Sequence, residues 1–339
     1  MRILVTGVTG FVGRKVVEAL RKDNHRVYGL IRPDKFMSAG IPDEVEPIAG
    51  DLLTTYSWSH KLSEISPDVV IHMAALTPVR KSWRDPWEFM KVNYIGTVNL
   101  YEDVSVNLPG TVFVYYSSAE VYDPPHSPVG RPLTENDRVY PRTPYAASKL
   151  AAEAFVTTMA EKMAPVIVLR PCNTFDRSEL HMVDEAREYF VEKAIIKVLR
   201  GENLVFEGRE YAIRTWMHVS DHAEAVRLLV RAIEKKKVGY GKPEIFNIAP
   251  PESTMSCRSM LEMILDVAES KGYPVRSREA VFLNQRPYDP PYLGIDGTKF
   301  TNFIRNALGV EWPGSDYSLR SRVSMAIDNW AKVLGVEKT

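Results

Sequence analysis

The run Arg2-Ile-Leu-Val-Thr-Gly-Val-Thr-Gly-Phe-Val-Gly13 decides the fold of this chain. Its apolar start ends in a glycine turn, a helical pattern through Val16, Val17 and Leu20 follows, and a second strand is expected at Arg26-Val-Tyr-Gly-Leu-Ile31. Strand, glycine turn, helix and strand in this order form the opening of a nucleotide-binding βαβ unit. Gly7 permits the tight turn, Gly10 lets backbone approach a pyrophosphate, and Gly13 lets helix and strand pack closely, while the helix N-terminus attracts the phosphates. Thr9, Phe11 and Val12 share that turn and are expected to line it.

Further apolar strands are expected at 45–48, 69–73 and 111–116, with helical segments between them. The alternation predicts an α/β fold, a Rossmann-type doubly wound parallel sheet with a smaller C-terminal α/β lobe. Ligands of such sheets lie beyond the carboxyl ends of the strands, which is where Asp51, Leu52, Ala74, Ala75, Ser117 and Ser118 fall. Asp51 is placed to accept from an adenine amino group, and the small Ala74 and Ala75 let backbone pass close to a cofactor. The second strand ends in Ile31-Arg32-Pro33, with no carboxylate before Asp34. An acid there would repel a ribose 2′-phosphate, whereas the Arg32 guanidinium can bind one bidentately, so NADP is expected over the alternative, NAD.

The 339 residues carry 43 Lys and Arg against 43 Asp and Glu. With zero net charge, no basic stripe announces a nucleic acid or an anionic membrane, and any anionic ligand must be held locally. No run of 18 apolar residues occurs, the N-terminus reads as a strand rather than a signal, and Cys172 and Cys257 are far apart. A cytoplasmic protein is expected. His218 and His222 lie four apart without an evident third ligand, so no metal is expected, and Asp221 reads as the cap of a helix over 222–234. Trp83 and Trp87, also four apart, read as packing or lobe-contact residues.

Tyr145 and Lys149, in Pro144-Tyr-Ala-Ala-Ser-Lys149, share one helical face. A phenol titrates near ~10, and a neighbouring ammonium favours the phenolate, so the pair can take a proton from an alcohol as hydride leaves its carbon.

With these pieces in order, the chain resembles the extended short-chain dehydrogenase/reductases, specifically the nucleotide-sugar epimerase/dehydratase group. The resemblance rests on the glycine turn, Gly50-Asp-Leu52, His72-Met-Ala-Ala75, Val92-Asn-Tyr-Ile-Gly-Thr97, Ser117-Ser-Ala-Glu-Val-Tyr122 and Pro144–Lys149. It continues through Arg170-Pro-Cys-Asn173, Arg214-Thr-Trp-Met-His-Val-Ser-Asp221 and Arg286-Pro-Tyr-Asp289. It implies Tyr145 as acid/base, Lys149 on the nicotinamide ribose, Ser118 on the reacting sugar oxygen, and Asn93 supporting them from its helix. Pro171 and Asn173 would run beside the nicotinamide, with Asn173 and the Ser118-Ala119-Glu120 run reaching substrate. Arg214 and Arg286 look like ligands of a sugar nucleotide's diphosphate, and Asp289 like a contact to its hydroxyls. The cofactor domain would span 1–173, with returning segments near 210–250, and 174–339 would be mainly the sugar-nucleotide lobe. Members form dimers, so a homodimer is expected. Asp176 stands where many relatives have glycine, which leaves the local backbone path open.

The shared first step would oxidise the sugar at C4, giving a ketone that acidifies the C5 hydrogen. Glu120, two residues after Ser118, is placed to remove that hydrogen and drive loss of the C6 hydroxyl, which favours a 4,6-dehydratase. Ala119 replaces the acid that Asp-Glu dehydratases carry, and many epimerases have alanine there. A 4-epimerase or an NADPH-dependent 4-keto-sugar reductase therefore stays open. A non-catalytic NADP-binding scaffold is the reading from another class, although such proteins usually lose the Tyr or Lys retained here.

Overall fold

The structure is a computed structural model that describes residues 1–36, 40–123, 130–160, 164–180, 182–186, 188–236, 242–283 and 289–338. The N-terminal strands are β1 (Arg2–Thr6), β2 (Arg26–Ile31), β3 (Val45–Ala49), β4 (Val69–His72), β5 (Val112–Tyr116) and β6 (Val166–Pro171). They are followed by β7 (Asn173–Phe175), β8 (Leu204–Phe206), β9 (Ile213–His218), β10 (Glu244–Ile248), β11 (Thr254–Ser256), β12 (Ala280–Phe282) and β13 (Tyr292–Leu293). Seven of these form one parallel sheet in the order β3-β2-β1-β4-β5-β6-β10, the doubly wound arrangement the alternation predicts.

The strands read as unbroken apolar runs because both faces are covered. Ile3 and Val5 point into a core shared with the helices Phe11–Arg21 and Val219–Glu234, while Leu4 between them points into a core shared with Gly96–Asn107 and Pro144–Ala160. Winding reverses between β1 and β4, so their carboxyl ends open a crevice at the glycine turn. A second core, with Phe175, Phe206, Trp216, Leu261, Val323 and Trp330, lies under the helices Phe190–Leu199, Cys257–Ser270 and Leu319–Leu334. It carries the four-stranded sheet β7, β9, β11 and β13 and the pair β8–β12.

Chain returns to the large domain further than 210–250. Leu293, Ile295, Phe300, Ile304 and Trp312 also join its core, because the helix Thr298–Leu308 covers β10 and the helix Val219–Glu234, which would otherwise leave an apolar edge in water. Asp221 is not the cap expected of it. The helix begins at Val219, the His218 ring accepts from the Ser220 N–H at 3.2 Å, and Asp221 in the first turn pairs with Arg322 at 2.8 Å. Trp83 and Trp87, expected as packing or lobe-contact residues, are both more than half exposed. Among the described residues no helix is long and apolar enough to cross a membrane.

The backbone path at Asp176 is now visible. Asp176 adopts φ +77°, the left-handed conformation that glycine reaches without strain, at a cost of about 1–2 kcal/mol for a residue with a Cβ. Its buried carboxylate offsets this by accepting from His218 Nε2 at 2.9 Å, Ser178 Oγ at 2.6 Å and Asn329 Nδ2 at 2.7 Å, tying β7 to β9 and to the C-terminal helix. Burial alone would raise this carboxyl; the bonds from His218, Ser178 and Asn329 and the interaction with the His218 ring together outweigh it and hold the group below its ordinary value. Hydrogen bonds to a charged group contribute about 1.5–3 kcal/mol each, so their loss exceeds the relieved strain. Asp176→Gly is expected to lower the unfolding free energy by ~2 kcal/mol in urea titrations; an unchanged or raised midpoint would contradict this account.

Candidate active site

The helix Pro144–Ala160 starts where it does because the Thr143 hydroxyl accepts from the Ala146 N–H at 3.1 Å and Pro144 fills the first turn, where no N–H is needed. Tyr145 and Lys149 are thereby set one turn apart, both buried and both at the cleft. Across from them β5 ends in Ser117 and Ser118. The Ser118 hydroxyl accepts from the Glu120 N–H at 3.2 Å, capping the short turn Ala119–Val121, and it hydrogen-bonds the Tyr145 side chain. Lys149 Nζ lies 4.8 Å from the centre of the Tyr115 ring.

A buried network braces this centre from behind. Ser117 Oγ donates to the Glu153 carboxylate, which also takes two bonds from Arg170, one of them at 3.2 Å from Nε. The Arg170 guanidinium lies 4.9 Å from the centre of the Tyr122 ring, and Tyr122 donates to Asn247 at 2.7 Å.

The electrostatics depart from the simple phenol and ammonium picture. Burial pushes the Tyr145 phenol up to about 12, with Ser118 acting to lower it. Burial also pulls Lys149 down to about 7, against the raising effect of Glu153. Desolvation therefore outweighs the help a lysine was expected to give the phenol, because the same enclosure weakens the lysine's own charge. Glu120 is pushed above the ordinary carboxylate range by burial, with Arg214 lowering it and Asp289 raising it.

These groups line one cleft of about 940 Å³ between the domains. Gly7, Thr9, Gly10, Phe11, Val12 and Gly13 form one wall; Arg32, Asp51, Leu52, Ala74 and Ala75 lie along it. Ser117, Ser118, Glu120, Tyr145, Lys149, Pro171 and Asn173 form the centre, and Arg214 and Asp289 face it from the second lobe. The glycine turn fits a dinucleotide diphosphate. A Cβ on Gly13 would sit 2.1 Å from the Gly7 carbonyl oxygen, and Gly7 itself has φ +80°, yet a Cβ on Gly10 would meet only that carbonyl, at 3.2 Å. The Gly10 side is thus open to the cleft, and the helix Phe11–Arg21 has no side-chain cap at its N-terminus. Arg32 is exposed at the far end and pairs with Asp34 at 3.1 Å. Arg214 donates to the Asp289 carboxylate and to the Pro290 carbonyl.

Two expected residues stand behind the wall. Asn93 does not line the cleft: its amide donates to the Leu76 carbonyl and to Ser148 Oγ, both at 3.0 Å, and accepts from the Leu76 N–H at 2.7 Å. Ala119 is buried beneath the Ser118 turn. Arg286 lies outside the described residues. His218 is engaged by Asp176, and His222 by Thr174 at 3.0 Å; among the described residues no three His, Cys, Asp or Glu side chains are grouped to hold a metal. Arg177, Tyr189, Glu192 and Trp216 also line the cleft. Their sequence neighbourhood carried no spacing rule that marks them, since the second lobe brings them in from separate elements.

Lys149 supplies a measurable sign. A lysine lowered from 10.5 to about 7 binds fewer protons folded than unfolded between those values, so its penalty on stability is full below pH 7 and fades as pH rises towards 10. Lys149→Met should be more stable than the unchanged chain at pH 7, with the gap closing by pH 10, in paired denaturation series; a gap that does not depend on pH contradicts the buried charge.

Comparison with known proteins shows the family. The NAD dependent epimerase/dehydratase family matches residues 3–249. UDP-glucose 4-epimerase of Mycolicibacterium smegmatis is 36% identical over 163 residues, 46% of this chain and half the length of that relative. dTDP-glucose 4,6-dehydratase 1 of Escherichia coli is 27% identical over 337 residues, 91% of this chain and 88% of that one. The structure of UDP-glucose 4-epimerase with UDP-glucose from Thermotoga maritima superposes with a TM-score of 0.82 at 23% identity, covering 98% of this chain and 100% of that chain. With the glycine turn, the Tyr145/Lys149 pair and the match over residues 3–249 in agreement, the chain belongs to the NAD dependent epimerase/dehydratase family.

Proposed function

We propose that this chain converts a nucleoside-diphosphate sugar through a 4-keto intermediate, with dehydration across C5 and C6 as the favoured outcome. The observation that carries the reading is the grouping of Ser118, Tyr145 and Glu120 in one cleft, with Glu120 between the phenol and the Arg214–Asp289 pair. Ser118 orients the C4 hydroxyl, Tyr145 takes its proton, and Lys149 holds the nicotinamide ribose. A nicotinamide bound here would supply acceptance of the C4 hydride and its later return, at C6 after water loss in a dehydratase or at C4 in an epimerase. With the C4 ketone formed and before any hydride return, Glu120 removes the acidified C5 proton and hands it to the departing C6 hydroxyl, a double role suited to a carboxyl raised above its ordinary value. Arg214 turns from Asp289 to the diphosphate, leaving Asp289 for hydroxyl groups. The 4-epimerase reading is supported by Ala119 and by the Mycolicibacterium relative.

The cofactor we favour is NADP. Arg32 stands beyond β2 beside Lys35, both at the cleft, and two cations there suit a 2′-phosphate. Ile95 and Val106, exposed on the helical segment that carries Asn93, offer a face for a second copy, and a homodimer is expected.

Tyr145→Phe should lower kcat at least a hundredfold on whichever GDP-, UDP-, CDP- or dTDP-sugar is turned over, the scale of a lost general acid/base. In heavy water the unchanged chain should release water from the sugar with solvent deuterium at C5, and Glu120→Gln should abolish that release. Inversion at C4 without deuterium would select the epimerase reading, and turnover unaffected by Tyr145→Phe would remove the catalytic assignment. Arg32→Asp should shift the ratio of NADP to NAD affinity at least tenfold towards NAD in direct titrations; an unmoved ratio would count against the 2′-phosphate reading.

A further inference from the structure

Arg177 reaches from the second lobe to the glycine turn. Its guanidinium carbon lies 4.0 Å from the centre of the Phe11 ring and 3.6 Å from that of Tyr189, so the cation is held between two aromatic faces at the mouth of the turn. Phe11 is the first residue of the phosphate-facing helix, and all three residues line the cleft. The geometry of the sandwich is set upstream: Asp176, in its left-handed conformation, turns the chain, and its N–H donates to Glu192 at 3.1 Å.

The guanidinium has no full partner there. Its Nε is buried without a hydrogen bond, and Glu192 approaches no nearer than 3.7 Å, beyond hydrogen-bond reach. Burial raises Glu192 to about 7, so near neutrality it does not fully cancel the charge beside it. The cations on the helix are spent elsewhere: Arg14 donates to the Thr9 and Gly40 carbonyls, and Lys15 pairs with Glu18 and Glu179.

We infer that Arg177 is a ligand of the dinucleotide's diphosphate, closing over it from the substrate lobe while the glycine turn holds it from below. The assignment rests on the cofactor reading above and adds a residue to it. Stacking on two rings fixes the plane of the fork at little entropic cost and leaves its edge to donate two parallel bonds to phosphate oxygens. The backbone turn supplies dipoles but no full charge, so Arg177 supplies the counter-charge. It also makes the grip on the cofactor depend on the position of the second lobe, since Phe11 and Arg177 belong to different domains.

The test compares ADP, which has the diphosphate, with adenosine, which lacks it, by calorimetric titration of the full chain. Arg177→Gln should weaken ADP about tenfold and leave adenosine within twofold, while Arg177→Lys, which keeps the charge, should weaken ADP by less than the glutamine variant. ADP affinity unchanged in Arg177→Gln, or ADP and adenosine weakened equally in either variant, overturns the inference. Should the glutamine variant not fold, the lysine variant decides by the same ADP-to-adenosine comparison. Failure of the unchanged chain to bind either ligand instead overturns the cofactor reading on which the inference rests.

Discussion

The carboxylate of Glu153 is the constraint on which the active centre depends. It is buried between the helix that bears Tyr145 and Lys149 and the ends of β5 and β6, and it takes bonds from Ser117 on one side and Arg170 on the other. A charge enclosed in this way persists only when paired, because losing one partner of such a pair costs about 3–5 kcal/mol. The helix and the two strands are therefore held in one register. That register places Ser118, the residue after Ser117, against the phenol one helical turn before Lys149. Arg170 extends the lock through Tyr122 and Asn247, whose amide donates to the carbonyls of Leu133 and Asp296.

In a chain with no net charge the cations of the cleft are paired locally. Arg32 with Asp34 and Arg214 with Asp289 are ion pairs within the cleft or at its rim. Arg177 differs, since aromatic faces rather than a bonded carboxylate hold it. Enclosure sets the protonation states in the centre. It raises Tyr145 and Glu120 and lowers Lys149, so all three are moved towards their neutral forms.

Much of the fold and a large part of the site were legible in local sequence. The glycine turn, the apolar runs and the four-residue spacing of Tyr145 and Lys149 are local patterns, and local patterns follow from backbone geometry. They placed the first five strands within a residue or two and gathered residues 7, 9–13, 32, 51–52 and 74–75, which line one cleft. The resemblance implies that Asn93 supports the centre from its helix, and its amide, saturated by Leu76 and Ser148, braces the wall without lining the cleft. An acid before a helix commonly caps it, which is the local signal at Asp221, whereas His218 fills that place and Asp221 serves Arg322 across 101 residues.

By itself, then, the sequence determined the alternation of strands and helices, the glycine turn and the four-residue spacing of Tyr145 and Lys149, all of which are patterns among residues close along the chain. Tertiary structure alone decided which charges face one another: Glu120 with Arg214 and Asp289, Glu153 with Arg170, and Arg177 between Phe11 and Tyr189. It also decided that Asp176 can occupy a glycine conformation, because the His218 and Asn329 partners that offset its strain come from 42 and 153 residues away. Burial and long-range pairing set a side chain's charge and direction, and neither is written in the spacing of its neighbours.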